Sequence, residues 1–252
     1  SSSALTLGGG TLNVTGKNGA ATAQTFASIT LTGNTLSQLQ VTQNGDTAVN
    51  IALGALPSSR AASSVLDLTL PTAGAITTTS TTFSTSAASG HILVSAASNG
   101  VAFATVGGTD WATNTSGTLG VLASYATDDF SSANNNVNVT ANDTPAAFTV
   151  NTLKFAITGK TLTLNSSGPS TVSTGGILVT GSTSVTINGG TGAALLPGAG
   201  KELVLINYGS LDIEAPIYNS VSGASTLSVS GTGTTTLGGA STLVRSAGRR
   251  AA

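Results

Sequence analysis

Apolar residues and hydroxyl or amide residues alternate along this chain in short runs. Thr11-Leu12-Asn13-Val14-Thr15, Ser28-Ile29-Thr30-Leu31-Thr32 and Leu39-Gln40-Val41-Thr42 are early examples. Val65–Leu70, Asn136–Thr140, Thr161–Leu164 and Ser184–Ile187 repeat the pattern later. A period of two places one apolar and one polar face on an extended backbone, the signature of a half-buried β-strand. Asn18-Gly19, Asn44-Gly45, Asn99-Gly100 and Asn188-Gly189 read as turns between such strands.

Strands begin every 8–12 residues or so, a spacing shared by sandwiches, barrels and solenoids. Three features favour the solenoid. About eighteen to twenty strands are too many for one ordinary sandwich. The apolar side chains are uniformly small. The texture is the same from end to end, as expected of stacked rungs that contact only their neighbours. Rungs of roughly 18–26 residues would give about ten to twelve rungs in a single body over residues 1–252, about 50 Å long. Residues 98–146 break the texture. They hold the only Trp, Trp111, with Tyr125 and the polar run Ser131 to Asn136. They are read as a loop-rich excursion between rungs, with Trp111 either covering an apolar patch or exposed for binding.

Composition narrows the class. Hydrophobic residues make up 39% and charged residues only 7%, and mean hydropathy is +0.29. Disordered chains pair low hydrophobicity with high net charge, so this chain can bury a core. Ser and Thr supply about 30% of the residues, and long-chain helix formers are scarce, so the fold class is all-β. The chain has no Cys, hence no disulfide framework and no thiolate metal site. A net charge of −1 gives no footprint for nucleic acid. No apolar run approaches the roughly 18–20 residues of a membrane span. The absence of Met leads to the expectation of a processed product or a piece of a longer chain.

Several segments resemble the autotransporter-associated β-strand repeat proteins, which are secreted or surface-displayed bacterial chains. Gly200–Tyr208 followed by Gly209–Ile217 resembles that family's succession of three strands, and Ser230–Ala240 resembles its Gly-x-Gly-x-x-x-Leu-x-Gly-x-Asn repeat. Gly108–Thr113 resembles its Asp-Trp-Ala-Thr element, and Val150–Phe155 the strand that follows it. The resemblance implies a right-handed parallel β-helix, display outside the cell, and a structural or adhesive role without catalysis. After Ala240 the chain departs from the family pattern. It carries a basic tail, 241–252, which holds Arg245, Arg249 and Arg250 of its eight basic residues.

The parallel β-helix also hosts polysaccharide-degrading enzymes, which need positioned carboxylates. Gly90-His91 here precedes Asp128-Asp129, and no Arg-Ile-Lys follows, so the order of the polygalacturonase-like motifs is wrong. Asp128-Asp129 reads as a solvated turn. His91, the only histidine, has no nucleophile motif beside it. No catalytic residue, cofactor or metal ligand is expected. Sequons at Asn13, Asn114, Asn138, Asn142 and Asn165 are what so much Asn, Ser and Thr yields by chance. Two roles remain. One is a structural subunit that self-associates end to end, since neither end shows a capping helix or charged edge strand. The other is an adhesive module that binds surface glycans, with Trp111 and Tyr125 as candidate contacts.

Overall fold

The computed structural model describes residues 3–56, 60–80, 91–95 and 100–241, and among these there is no helix. Where a single body is expected from the repeat texture, the chain forms two compact units. One comprises residues 1–84 and 91–123, the other residues 85–90 and 124–252.

The first unit carries β1 (Leu5–Leu7), β2 (Gly10–Thr15), β3 (Thr22–Thr25), β4 (Ile29–Leu31), β5 (Leu36–Thr42), β6 (Val49–Ala52), β7 (Val65–Leu68), β8 (Gly74–Thr77), β9 (Ala104–Val106), β10 (Asp110–Thr115) and β11 (Thr118–Val121). The second carries β12 (Ala126–Thr127), β13 (Asn136–Val139), β14 (Thr149–Phe155), β15 (Lys160–Leu164), β16 (Pro169–Val179), β17 (Ser184–Gly189), β18 (Ala194–Pro197), β19 (Leu203–Asn207), β20 (Ser210–Ile213), β21 (Leu227–Ser230) and β22 (Thr234–Leu237). Every alternating run named above contributes to one of these strands. The dipeptide Asn188-Gly189 does not form a turn. It ends β17, beside Thr163 and Leu164 of β15.

The pairing is that of a β-solenoid, with about nine turns in all. In the second unit β12, β13, β14, β16, β19 and β21 lie side by side in parallel, and β15, β17, β20 and β22 form a second parallel stack. The N-terminal part of β16 pairs separately with β18, so a full rung there has three faces. Some rungs outgrow the length that the alternation implies. Leu5 lies beside Ile29, within that length, but Leu36 lies beside Val65, beyond it. Three strands and their corners per rung account for a turn count below the expected ten to twelve.

Stacking in register builds the cores from columns of like residues. In the second unit Val137, Leu153, Ile177, Leu205 and Val229 follow one another across neighbouring strands. Leu162, Ile187, Ile213 and Leu237 form another such column. In the first unit Leu12, Leu39 and Leu68 do the same. Each interior member is buried, so a column excludes water along its length and small aliphatics suffice. The corners need glycine where rungs approach closely. Gly175, at φ +71° within β16, leaves no room for a Cβ against the backbone oxygen of Glu202 in the next rung.

Some buried amides and the carboxylate of Asp67 find partners within these stacks. Asn136 Oδ1 accepts from Asn151 Nδ2 at 2.6 Å and from Thr152 Oγ1 at 2.9 Å. Asp67 Oδ1 accepts from Thr105 Oγ1 at 2.8 Å and from the Gly108 N–H at 2.9 Å. Such partners offset the cost of removing polar groups from water.

Residues 98–146 hold more regular structure than a loop excursion. In the first unit β9, β10 and β11 form an antiparallel meander, with a two-residue turn at Ser116 and Gly117, both at positive φ. β9 extends the β2-β5-β7 stack, and β11 pairs with β8 at the end of the β3-β6-β8 stack. The meander therefore ties the last strands of the two stacks together. It is held by Asn114, whose Nδ2 donates to Ser80 O at 2.6 Å and whose Oδ1 accepts from the Gly117 N–H at 2.9 Å. Residues 124–146 fall in the second unit, as β12, β13 and the loops around them.

Candidate functional site

The two residues singled out as contacts fall in different units. Trp111 lies on β10 of the first unit and is 0% exposed. Its backbone pairs with Thr105 of β9 on one side and runs beside β11 on the other. A ring with no accessible face is not available for stacking on a sugar, which corrects its reading as an exposed contact. Tyr125 belongs to the second unit and is half-buried. Lys154 Nζ stands 4.4 Å from the centre of its ring, a cation–π contact. The sequence left Trp111 open between covering an apolar patch and standing exposed as a contact, and its burial fits the first. The closing strand β11 and the turn at Ser116-Gly117 were not recognised in the alternation.

His91 is exposed next to Ile92, which bridges to Thr113. Among the described residues no group of three or more His, Asp or Glu could hold a metal ion. Of the sequon residues, Asn114 is buried and engaged in the meander. The basic tail from residue 242 onward lies outside the described residues.

Two features of the second unit stand out instead. The first is its last rung. β21 and β22 end their stacks, with no further strand beside them among the described residues. Val229 continues the column above Leu205 yet is 51% exposed, and Leu237 continues the column above Ile213 yet is 44% exposed. Their register points them toward the core line, and they are exposed because no described residue covers them. At the other end of the chain β2 and β3 are likewise the terminal strands of the first unit's sheet. There Leu5, Leu12 and Val14 are only partly buried.

The second feature is a cleft of about 520 Å³ built by the loops on either side of β13. Phe130 and Phe148 lie in it with ring centres 4.8 Å apart and planes tilted by 42°. Asp128, Asp129 and Asp143 also line it, and among the described residues no Lys or Arg does. The loop is fixed by its own hydrogen bonds. Asp128, at φ +49°, accepts from the Thr140 N–H at 2.7 Å and from the Thr140 hydroxyl. Asn135 Nδ2 donates to Asp129 O at 3.0 Å, and the Asn151 N–H to Asn135 O at 2.8 Å. Ser131, through its hydroxyl and then its N–H, holds the exposed Asp129 carboxyl below the usual carboxylate value. Asp143 Oδ1 takes the Thr144 N–H at 2.7 Å. The Asp128-Asp129 pair is thus a turn, as its sequence suggested, but the turn forms one wall of a cavity.

Comparison of the chain with family models, with curated proteins and with solved structures found no match.

Proposed function

We propose that this protein is a structural β-solenoid, wound right-handed and displayed outside a bacterial cell, whose copies join end to end. The observation that carries this reading is the last rung, which no strand covers among the described residues and where Val229 and Leu237 stand exposed at the ends of otherwise buried columns. An open edge offers unpaired N–H and C=O groups as well as apolar surface, and so is a template for another strand. The occupant this favours is a second copy. The chain itself presents the complementary terminal strands β2 and β3, with Leu12 and Val14 incompletely covered in the same way. A head-to-tail contact of this kind repeats from copy to copy and yields a ring or an open filament, according to the rotation between copies. The motif resemblance to autotransporter-associated repeats supports the surface location, and no catalytic role enters the reading.

Analytical ultracentrifugation of the purified chain tests it. Concentration-dependent polymers are expected, and the double variant Val229→Lys, Leu237→Lys should remain monomeric while keeping its β circular dichroism. A wild-type chain that stays monomeric at every accessible concentration would sink the proposal.

The adhesive alternative loses Trp111 as a contact and finds its support in the cleft of the second unit.

A further inference from the structure

We infer that the cleft between Phe130, Phe148, Asp129 and Asp143 is a binding site for neutral, polyhydroxylated sugars. The inference stands apart from end-to-end joining, because the cleft and the last rung share no residue.

Three observations carry it. The cleft's volume, about 520 Å³, falls within the range of small-molecule pockets. Its apolar part comes from the half-buried Phe130 and Pro145, with the buried Phe148 backing Phe130, and this suits the C–H face of a pyranose ring. Its polar part is made mostly of acceptors. A carboxylate is acceptor-only and can take two hydroxyl donors at once, and Ser131 and Thr149 add hydroxyls that donate or accept. A ring with one hydrocarbon face and a rim of hydroxyls meets both demands.

The walls also select. Three carboxylates without a lining Lys or Arg repel uronic or sulfated sugars, an exclusion built by like charge. A bare metal ion is disfavoured, because these carboxylates do not form a group that could hold one. The loop hydrogen bonds from Asp128, Asn135 and Asn151 fix the walls before any ligand arrives, which reduces the ordering cost of binding.

The test is titration of the full-length chain, by calorimetry and saturation-transfer NMR. The probes are a neutral set (cellotetraose, mannotetraose, N-acetylchitotetraose), an anionic one (tetragalacturonate) and a cationic one (spermine), backed by a broad glycan array. Saturable binding of at least one neutral sugar is expected, with none of tetragalacturonate. Phe130→Ala should weaken binding at least tenfold. Phe130 also packs on the core, so Ala146→Arg, on the exposed rim, provides a variant that blocks the cleft without disturbing the interior. The inference fails if no neutral glycan binds on the array, if spermine alone binds, or if Ala146→Arg binds the sugar as the wild type does. Loss of polymer formation with sugar binding intact would overturn end-to-end joining and leave this inference standing.

Discussion

At the scale of single residues, charge is scarce enough that individual ionised groups have describable local roles. Asp129 is held ionised by Ser131, so the cleft stays anionic as the pH falls toward the ordinary carboxylate value. Its contribution is present at neutral pH and is lost only below that value. Lys201 is the opposite case. Burial pushes its ammonium below the usual lysine range. The unfolded chain then binds more protons than the folded one between the lowered value and the ordinary one, so stability rises with pH across that window. Lys201→Met should therefore raise the urea midpoint at pH 7, and the gain should vanish as the pH climbs through the normal lysine value. An equal gain at both pH values would show that packing, not charge, sets the effect. Residue identity reported the facing of side chains well. Leu12 and Val14, or Leu162 and Leu164, face their cores as the alternation says. It did not report cover. Trp111 is fully buried, and no local pattern announces that.

At the scale of elements, strand existence was legible and strand partnership was not. Alternation marks a strand's two faces, but its neighbour in a parallel stack lies a whole rung away. The rung length depends on corners such as Gly175, whose role appears only when Glu202 of the next rung is in place. The cleft escaped for the same reason. Asp128 and Asp129 were legible as a turn, while Phe148 and Asp143 reach that turn only through the pairing of β13 with β14. The columns give a sharp prediction. Ile177→Ala, in mid-column, should cost about 2–5 kcal/mol in chemical denaturation, as lost transfer energy and a cavity add. Val229→Ala, at the uncovered end of the same column, should cost well under about 1 kcal/mol in the isolated chain, because half of the residue is already in water. Equal losses at the two positions would mean that Val229 is covered in solution.

At the scale of the molecule, two solenoid units differ in how their stacks finish. The first ends in the β9–β11 meander, which joins its stacks and removes their trailing edges, whereas the last rung of the second is bare among the described residues. Charged side chains are only 7% of the chain, so the contact proposed between copies rests on apolar cover and backbone pairing. Polymer formation should then change little from low to molar salt, as read by sedimentation, since screening acts on exposed charges. Dissolution by salt would point to an ionic contact and away from the edge.

The similar sequence spacing of many stacked strands, seen in Leu5 beside Ile29 and Leu36 beside Val65, has a consequence for the order in which the chain acquires its form. Each new strand finds its place as soon as one more rung of polypeptide has been made. Loop closure then proceeds in small, comparable steps rather than in one long search. Assembly can advance rung after rung while the remainder of the chain is still being synthesised. The meander is the exception. Leu66 must wait for Ala104 before β9 can dock, and β11 must reach back from Thr118 to Thr77. The first unit is therefore sealed late, and that closing step should set the pace of its maturation.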